Sequence, residues 1–208
     1  MKLDIKFGID FEKKRVKETL VELNWCYANG YTPILPKLIG LESSEEEINN
    51  QIDKEYNRER YQEIKNQIIN DFLTIHKPLV EKLKETINKD IPSVFQVYLT
   101  NYGTNGSYFP PNIIVVNINS QKGYKTIVHE IIHLLIEDWI QKYNVSHWEK
   151  ERTVDSICNS EEFSFLHYND WKSNYYGVEK YIDNLFHDYF FKDPENFFSK
   201  IENVRPIV

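Results

Sequence analysis

The chain carries two kinds of hydrophobic pattern, and the change from one to the other falls near residue 92. Over residues 10–29 the apolar positions Val16, Leu20, Leu23 and Tyr27 recur every three or four residues, the period of an amphipathic helix. Gly30 is placed to end that helix, and Pro33 and Pro36 mark an irregular link. Residues 44–90 keep the same period through Ile48, Ile52 and Tyr56, which predicts one long helix or two consecutive ones. Ser44 suits the N-cap, and Glu45, Glu46 and Glu47 suit the positive end of the helix dipole as a solvated start. Pro78 is expected to break or restart this region, because it lacks an amide hydrogen and crowds the preceding turn.

Beyond residue 92 the pattern shortens. Residues 94–99 are rich in β-branched and aromatic side chains and predict a strand, followed by a turn-rich loop over 101–107 that contains Gly103 and Gly106. Residues 112–118 (NIIVVNI) predict a second strand, and Pro110 and Pro111 ahead of it suit an edge position. Residues 124–142 predict a helix that is apolar over most of its circumference (Ile127, Val128, Ile131, Ile132, Leu134, Leu135, Ile136), the mark of a buried helix. Further helices are predicted over 147–160, with Ser146 as cap, over 178–191 and over 194–201. The expected class is α+β and mostly helical. A helical N-terminal region, 1–91, is expected to pack on a core, 92–208, as one compact unit.

Composition narrows the partners. With 208 residues, 41% hydrophobic and 27% charged, the chain is long enough to bury a substantial core. A net charge of −7 and scattered basic residues disfavour binding to nucleic acid or to an anionic membrane. No apolar run reaches the roughly 18 residues of a membrane span, and the first residues hold no signal-peptide core. A cytoplasmic protein is the expectation. Cys26 and Cys158 are far apart and form no C-x-x-C pair, so two buried free thiols are expected rather than a disulfide.

The chemistry is concentrated in the buried helix. His129-Glu130-Ile131-Ile132-His133 matches H-E-x-x-H, and positions four apart share a helix face, so both imidazoles can address one metal ion. Glu130 lies beside that face, where a carboxylate can take a proton from a water activated by the metal. With six histidines in the chain, chance supplies only about 0.02 such matches at this composition. Imidazoles buried in a core without polar partners would also be costly. Candidates for a third ligand are His147, His167, His187 and the carboxylates Glu151 and Asp155. These two carboxylates are again four apart, on the next predicted helix. One can ligate while the other accepts the far N–H of a histidine ligand.

H-E-x-x-H followed on a later helix by E-x-x-x-D resembles the gluzincin metallopeptidases, the thermolysin-like group, over about residues 110–160. The resemblance implies that one zinc ion is bound by His129, His133 and Glu151, that Glu130 is the general base and that Asp155 orients His129. It implies a zincin-like core in which a small antiparallel sheet packs on the H-E-x-x-H helix. The strand at 113–118 would then be the edge along which an extended peptide or protein substrate pairs. The chain departs from the pattern at Lys150, where many members have Asn, and it lacks a metzincin third histidine, since position 139 is Trp139. For the group that stabilises the oxyanion, usually a C-terminal His or Tyr in this family, the candidates are His167, Tyr168, Tyr175, Tyr176, Tyr181 and His187. The function expected is hydrolysis of peptide bonds by a zinc peptidase. The alternative is a non-catalytic or regulatory binding module on a peptidase-like scaffold.

Overall fold

Local signals set most of the helix boundaries. The Glu47 carboxylate accepts the Ser44 N–H at 2.7 Å while the Ser44 hydroxyl accepts the Glu47 N–H, closing the start of α2 (Glu45–Glu55). Glu149 likewise accepts the Ser146 N–H at 2.7 Å at the start of α5 (His147–Asn159). The computed structural model describes residues 1–120, 123–167 and 178–204. Besides α2 and α5 its helices are α1 (Ile9–Ala28), α3 (Arg58–Ile87), α4 (Tyr124–Lys142), α6 (Glu179–Leu185) and α7 (Pro194–Val204). A 3-10 turn follows α5 at Glu161–Leu166, and α6 continues into a π-helical turn at Phe186–Phe190. The class is α+β and mostly helical. Among the described residues, no helix is long and apolar enough to cross a membrane. Cys26 and Cys158 are buried and not joined in a disulfide, as expected.

The chain divides into two compact units that interleave the regions 1–91 and 92–208, with boundaries inside α3 and inside α4. One unit comprises Lys2–Phe72 and Ser93–Ile127. It holds a four-stranded sheet in the order β1 (Lys2–Lys6), β2 (Val94–Thr100), β4 (Ile113–Asn117), β3 (Gly106–Phe109). β1 and β4 both run parallel to β2, so that Val97 faces Ile5 on one side and Ile114 on the other; β3 runs antiparallel to β4. This corrects the expected antiparallel sheet. Parallel pairing needs a crossover of a dozen residues or more, and segments 7–93 and 101–112 provide them.

Two further corrections concern the strands. β4 is interior and not the edge, because Ile114, Val115, Val116 and Asn117 are all buried, the continuous pattern of a central strand. Pro110 and Pro111 sit ahead of it in the turn from β3, where no ladder N–H is required. The edges are β1 and β3, and β3 begins at Gly106 inside the segment expected to be loop. A hydrophobic cluster of Val16, Ile48, Ile52 and Tyr102, flanked by Ile9, Leu20, Leu35 and Ile39, forms part of this unit's core. Within the same unit the fully buried Glu12 accepts hydrogen bonds from the Tyr61 hydroxyl, from Thr100 Oγ1 at 2.8 Å and from the Asn101 N–H at 2.9 Å. Burial pushes the Glu12 carboxyl above its usual range, although each of these donors pulls the other way.

The other unit comprises Met1, Leu73–Pro92 and Val128–Val208. Pro78 lies within α3 and does not break it. The apolar series Ile75, Leu79, Leu83 continues past the proline and is buried throughout, and its burial outweighs the roughly 3 kcal/mol cost of a proline inside a helix. An aromatic cluster anchors the C-terminal helices. Phe186 stacks on Phe190 at 4.8 Å, Phe197 meets Phe198 edge to face at 4.9 Å, and Trp139 of α4 stacks on Phe198 at 5.4 Å. α4 is buried from Thr126 through His133 without interruption, as its all-round apolar pattern predicts.

Candidate metal centre

α4 and α5 build the centre, and helical periodicity decides which side chains face it. His129 and His133 are one turn apart on α4, with rings in an edge-on arrangement at 4.6 Å and their Nε2 atoms 2.9 Å apart. On α5 the stripe His147, Glu151, Asp155, Cys158 recurs at steps of four, four and three, so its members lie one above another. Glu151 Oε2 stands 3.3 Å from His129 Nε2, and Glu151 Oε1 stands 3.4 Å from His133 Nε2. The donor atoms of His129, His133 and Glu151 all lie within 4.8 Å of one another, a group that could hold a metal ion.

The separations support that use. A tetrahedral ion about 2.0–2.1 Å from each donor sets neighbouring donors about 3.3 Å apart. Two of the three distances match this and the third, between the imidazoles, is shorter. The donor set of two imidazoles and one carboxylate leaves a fourth position for water or substrate. Asp155 is in place behind His129, its Oδ1 3.4 Å from Nδ1, on the side of the ring away from Glu151. The thiol of Cys158 also hydrogen-bonds the His129 side chain.

Two contacts hold α5 in this position. The Arg152 guanidinium makes a two-pronged pair with Asp183 of α6, both bonds 2.7 Å, and the Tyr181 hydroxyl donates to the buried Glu149 at 2.7 Å. Tyr181 is therefore engaged in structure. His187 is exposed and pairs with Asp188 at 3.2 Å, and His167 is exposed at the end of the 3-10 turn. Tyr168, Tyr175 and Tyr176 lie outside the described residues. Of the alternative third ligands, His147 Nδ1 stands 4.0 Å from Glu151 Oε1, and Asp155 faces the other ring nitrogen of His129.

Electrostatics divides the protons among these groups. Burial works against a charged His129, yet its hydrogen bonds with Cys158 and Glu151 and the charges of Glu130 and Glu151 hold it well above the usual imidazole range. Burial, together with the neighbouring His129, pushes His133 down to about 4. The pair thus carries one proton, on His129, because two imidazoles this close do not both charge. Burial would raise Glu151, but the two imidazoles hold it well below the usual carboxylate range. Burial pushes Glu130 up to about 7, where a carboxylate can both take and return a proton near neutral pH. Comparison of the chain with family models, with curated proteins and with solved structures finds no match.

Proposed function

We propose that the protein is a zinc-dependent peptidase. The observation that carries this reading is the convergence of His129, His133 and Glu151 on one point, beside a buried Glu130. Two imidazoles and a carboxylate with an open fourth position form a donor set that suits catalytic zinc. Zinc bound there supplies a lowered pKa for a coordinated water and polarisation of the scissile carbonyl. The chain's own residues do the rest. Glu130 accepts the proton of the attacking water and passes it to the leaving amine. Asp155 fixes the orientation of the His129 ring. A structural metal site, in which the ion is closed off by four protein ligands, has no use for a carboxylate placed like Glu130.

Glu130→Gln tests the assignment. The full chain loaded with zinc is expected to cleave members of a quenched fluorescent peptide library in a chelator-sensitive manner. The variant should hold zinc while cleaving at least a hundredfold more slowly. Undiminished metal-dependent cleavage by the variant would remove Glu130 from the mechanism.

A further inference from the structure

The stripe on α5 is graded in exposure. From its N-terminal end the side chains are 24% exposed at His147, 14% at Glu151 and 2% at Asp155, and Cys158 is buried. Exposure thus rises from Asp155 and Cys158 towards the first turns of α5. At that more exposed end stands Lys150, its side chain 16% exposed and its Nζ 3.8 Å from Glu151 Oε1. Its charge also acts on Glu130 and on His133.

Hydrolysis of an amide also needs a donor for the oxygen that becomes negative as water adds. Among the described candidates, Tyr181 gives its hydroxyl to Glu149, His187 is exposed beside Asp188, and His167 is exposed. Charge points the same way. A divalent ion with Glu151, Glu130 and Asp155 as carboxylates sums to −1, and the ammonium of Lys150 brings the centre to neutrality. On this basis, and resting on the peptidase reading above, we propose that Lys150 is a catalytic residue whose ammonium binds the scissile carbonyl oxygen and stabilises the oxyanion that forms on it.

In that step the water oxygen bonds to the carbonyl carbon and the carbonyl π pair moves onto the oxygen, where Lys150 donates an N–H without giving up its proton. Glu130 holds the proton taken from water. Collapse re-forms the carbonyl, breaks the C–N bond, and leaves the electron pair on nitrogen, which takes the proton from Glu130. Lysine suits the task mechanically, because a compact ammonium on a four-carbon stem can turn from Glu151 to an incoming oxygen.

Three variants of the full chain test the proposal: Lys150→Met, Lys150→Gln and Lys150→Arg. Each is checked for wild-type circular dichroism, then for zinc affinity by competition with a chromophoric chelator, and then for kcat and KM on the best-cleaved library peptide. A donor used only in the transition state lowers kcat and kcat/KM together, so Lys150→Met and Lys150→Gln should lose about 10²–10³-fold in kcat with KM within threefold. Lys150→Arg, which keeps the charge, should retain at least roughly a tenth of wild-type kcat. Zinc affinity supplies a readout that a merely structural lysine would move the other way. Removing a cation that faces the ion should tighten binding roughly tenfold, whereas loss of a packing residue would weaken it. Full kcat in Lys150→Met and Lys150→Gln, or weaker zinc binding in both, overturns the role of Lys150 while leaving the peptidase reading intact. Absence of metal-dependent cleavage by the wild-type chain overturns both.

Discussion

Loading the centre with zinc is expected to release protons, and the number follows from the geometry. Ligation requires a neutral imidazole, so a proton held on a ligand must leave when the metal enters. His129, kept well above the usual imidazole range by Cys158, Glu151 and Glu130 against its burial, is charged at pH 7 and contributes about one proton. His133, pushed down to about 4 by burial, contributes none, and Glu151 is already ionised. Glu130, pushed up to about 7 by burial, is about half protonated there; the ion's charge draws it down and frees up to about half a proton more. The expected release is thus between one and about one and a half protons per zinc at pH 7. Calorimetric titration of zinc into the metal-free chain, repeated in buffers of different ionisation enthalpy, gives this number as a slope. Glu130→Gln should lower it by about half a proton. An isolated imidazole of ordinary pKa would release only about a quarter of a proton at this pH. A slope near zero would refute the proton distribution argued for His129, even if zinc bound tightly.

Two other outcomes are expected. Asp155→Asn keeps the size of the side chain behind His129 Nδ1 but removes its charge; zinc affinity, measured by chelator competition, should fall about 10–100-fold, and unchanged affinity would show that Asp155 does not act on the ligand. Glu12 is raised by burial in the folded chain. Its contribution to stability is therefore complete below the unfolded value of about 4.5 and is lost as pH rises through the folded value. Glu12→Gln should accordingly gain stability relative to wild type between pH 4.5 and pH 7.5 in urea unfolding, and parallel pH profiles would show that Glu12 folds without a change in pKa.

Much of the architecture follows from short-range rules. The caps at Ser44 and Ser146 and the spacing along α1 and α4 are local properties, and each helix appears where its pattern predicts. The failures have a common cause. β3 is four residues long and begins at a glycine, β1 is five residues long, and a strand of that length gains its stability from the neighbours it pairs with. The same holds for Pro78, where a local rule against proline yields to the burial of Ile75, Leu79 and Leu83. Lys150 was legible only as a departure from a motif. Its contact with Glu151 depends on the conformation of a long side chain, which periodicity does not express.

What the sequence determines by itself is which residues share a face. H-E-x-x-H on one helix and E-x-x-x-D on the next require only the 3.6-residue turn to align His129 with His133 and Glu151 with Asp155. The meeting of the two faces is a tertiary fact. The Arg152–Asp183 pair, the Tyr181–Glu149 bond and the aromatic packing of Trp139 on Phe198 join segments far apart in the chain, and no local pattern encodes them. The charge state of the centre is tertiary for the same reason. Only when burial strips water from His129, Glu130, His133 and Glu151 together do their mutual charges decide which of them holds a proton.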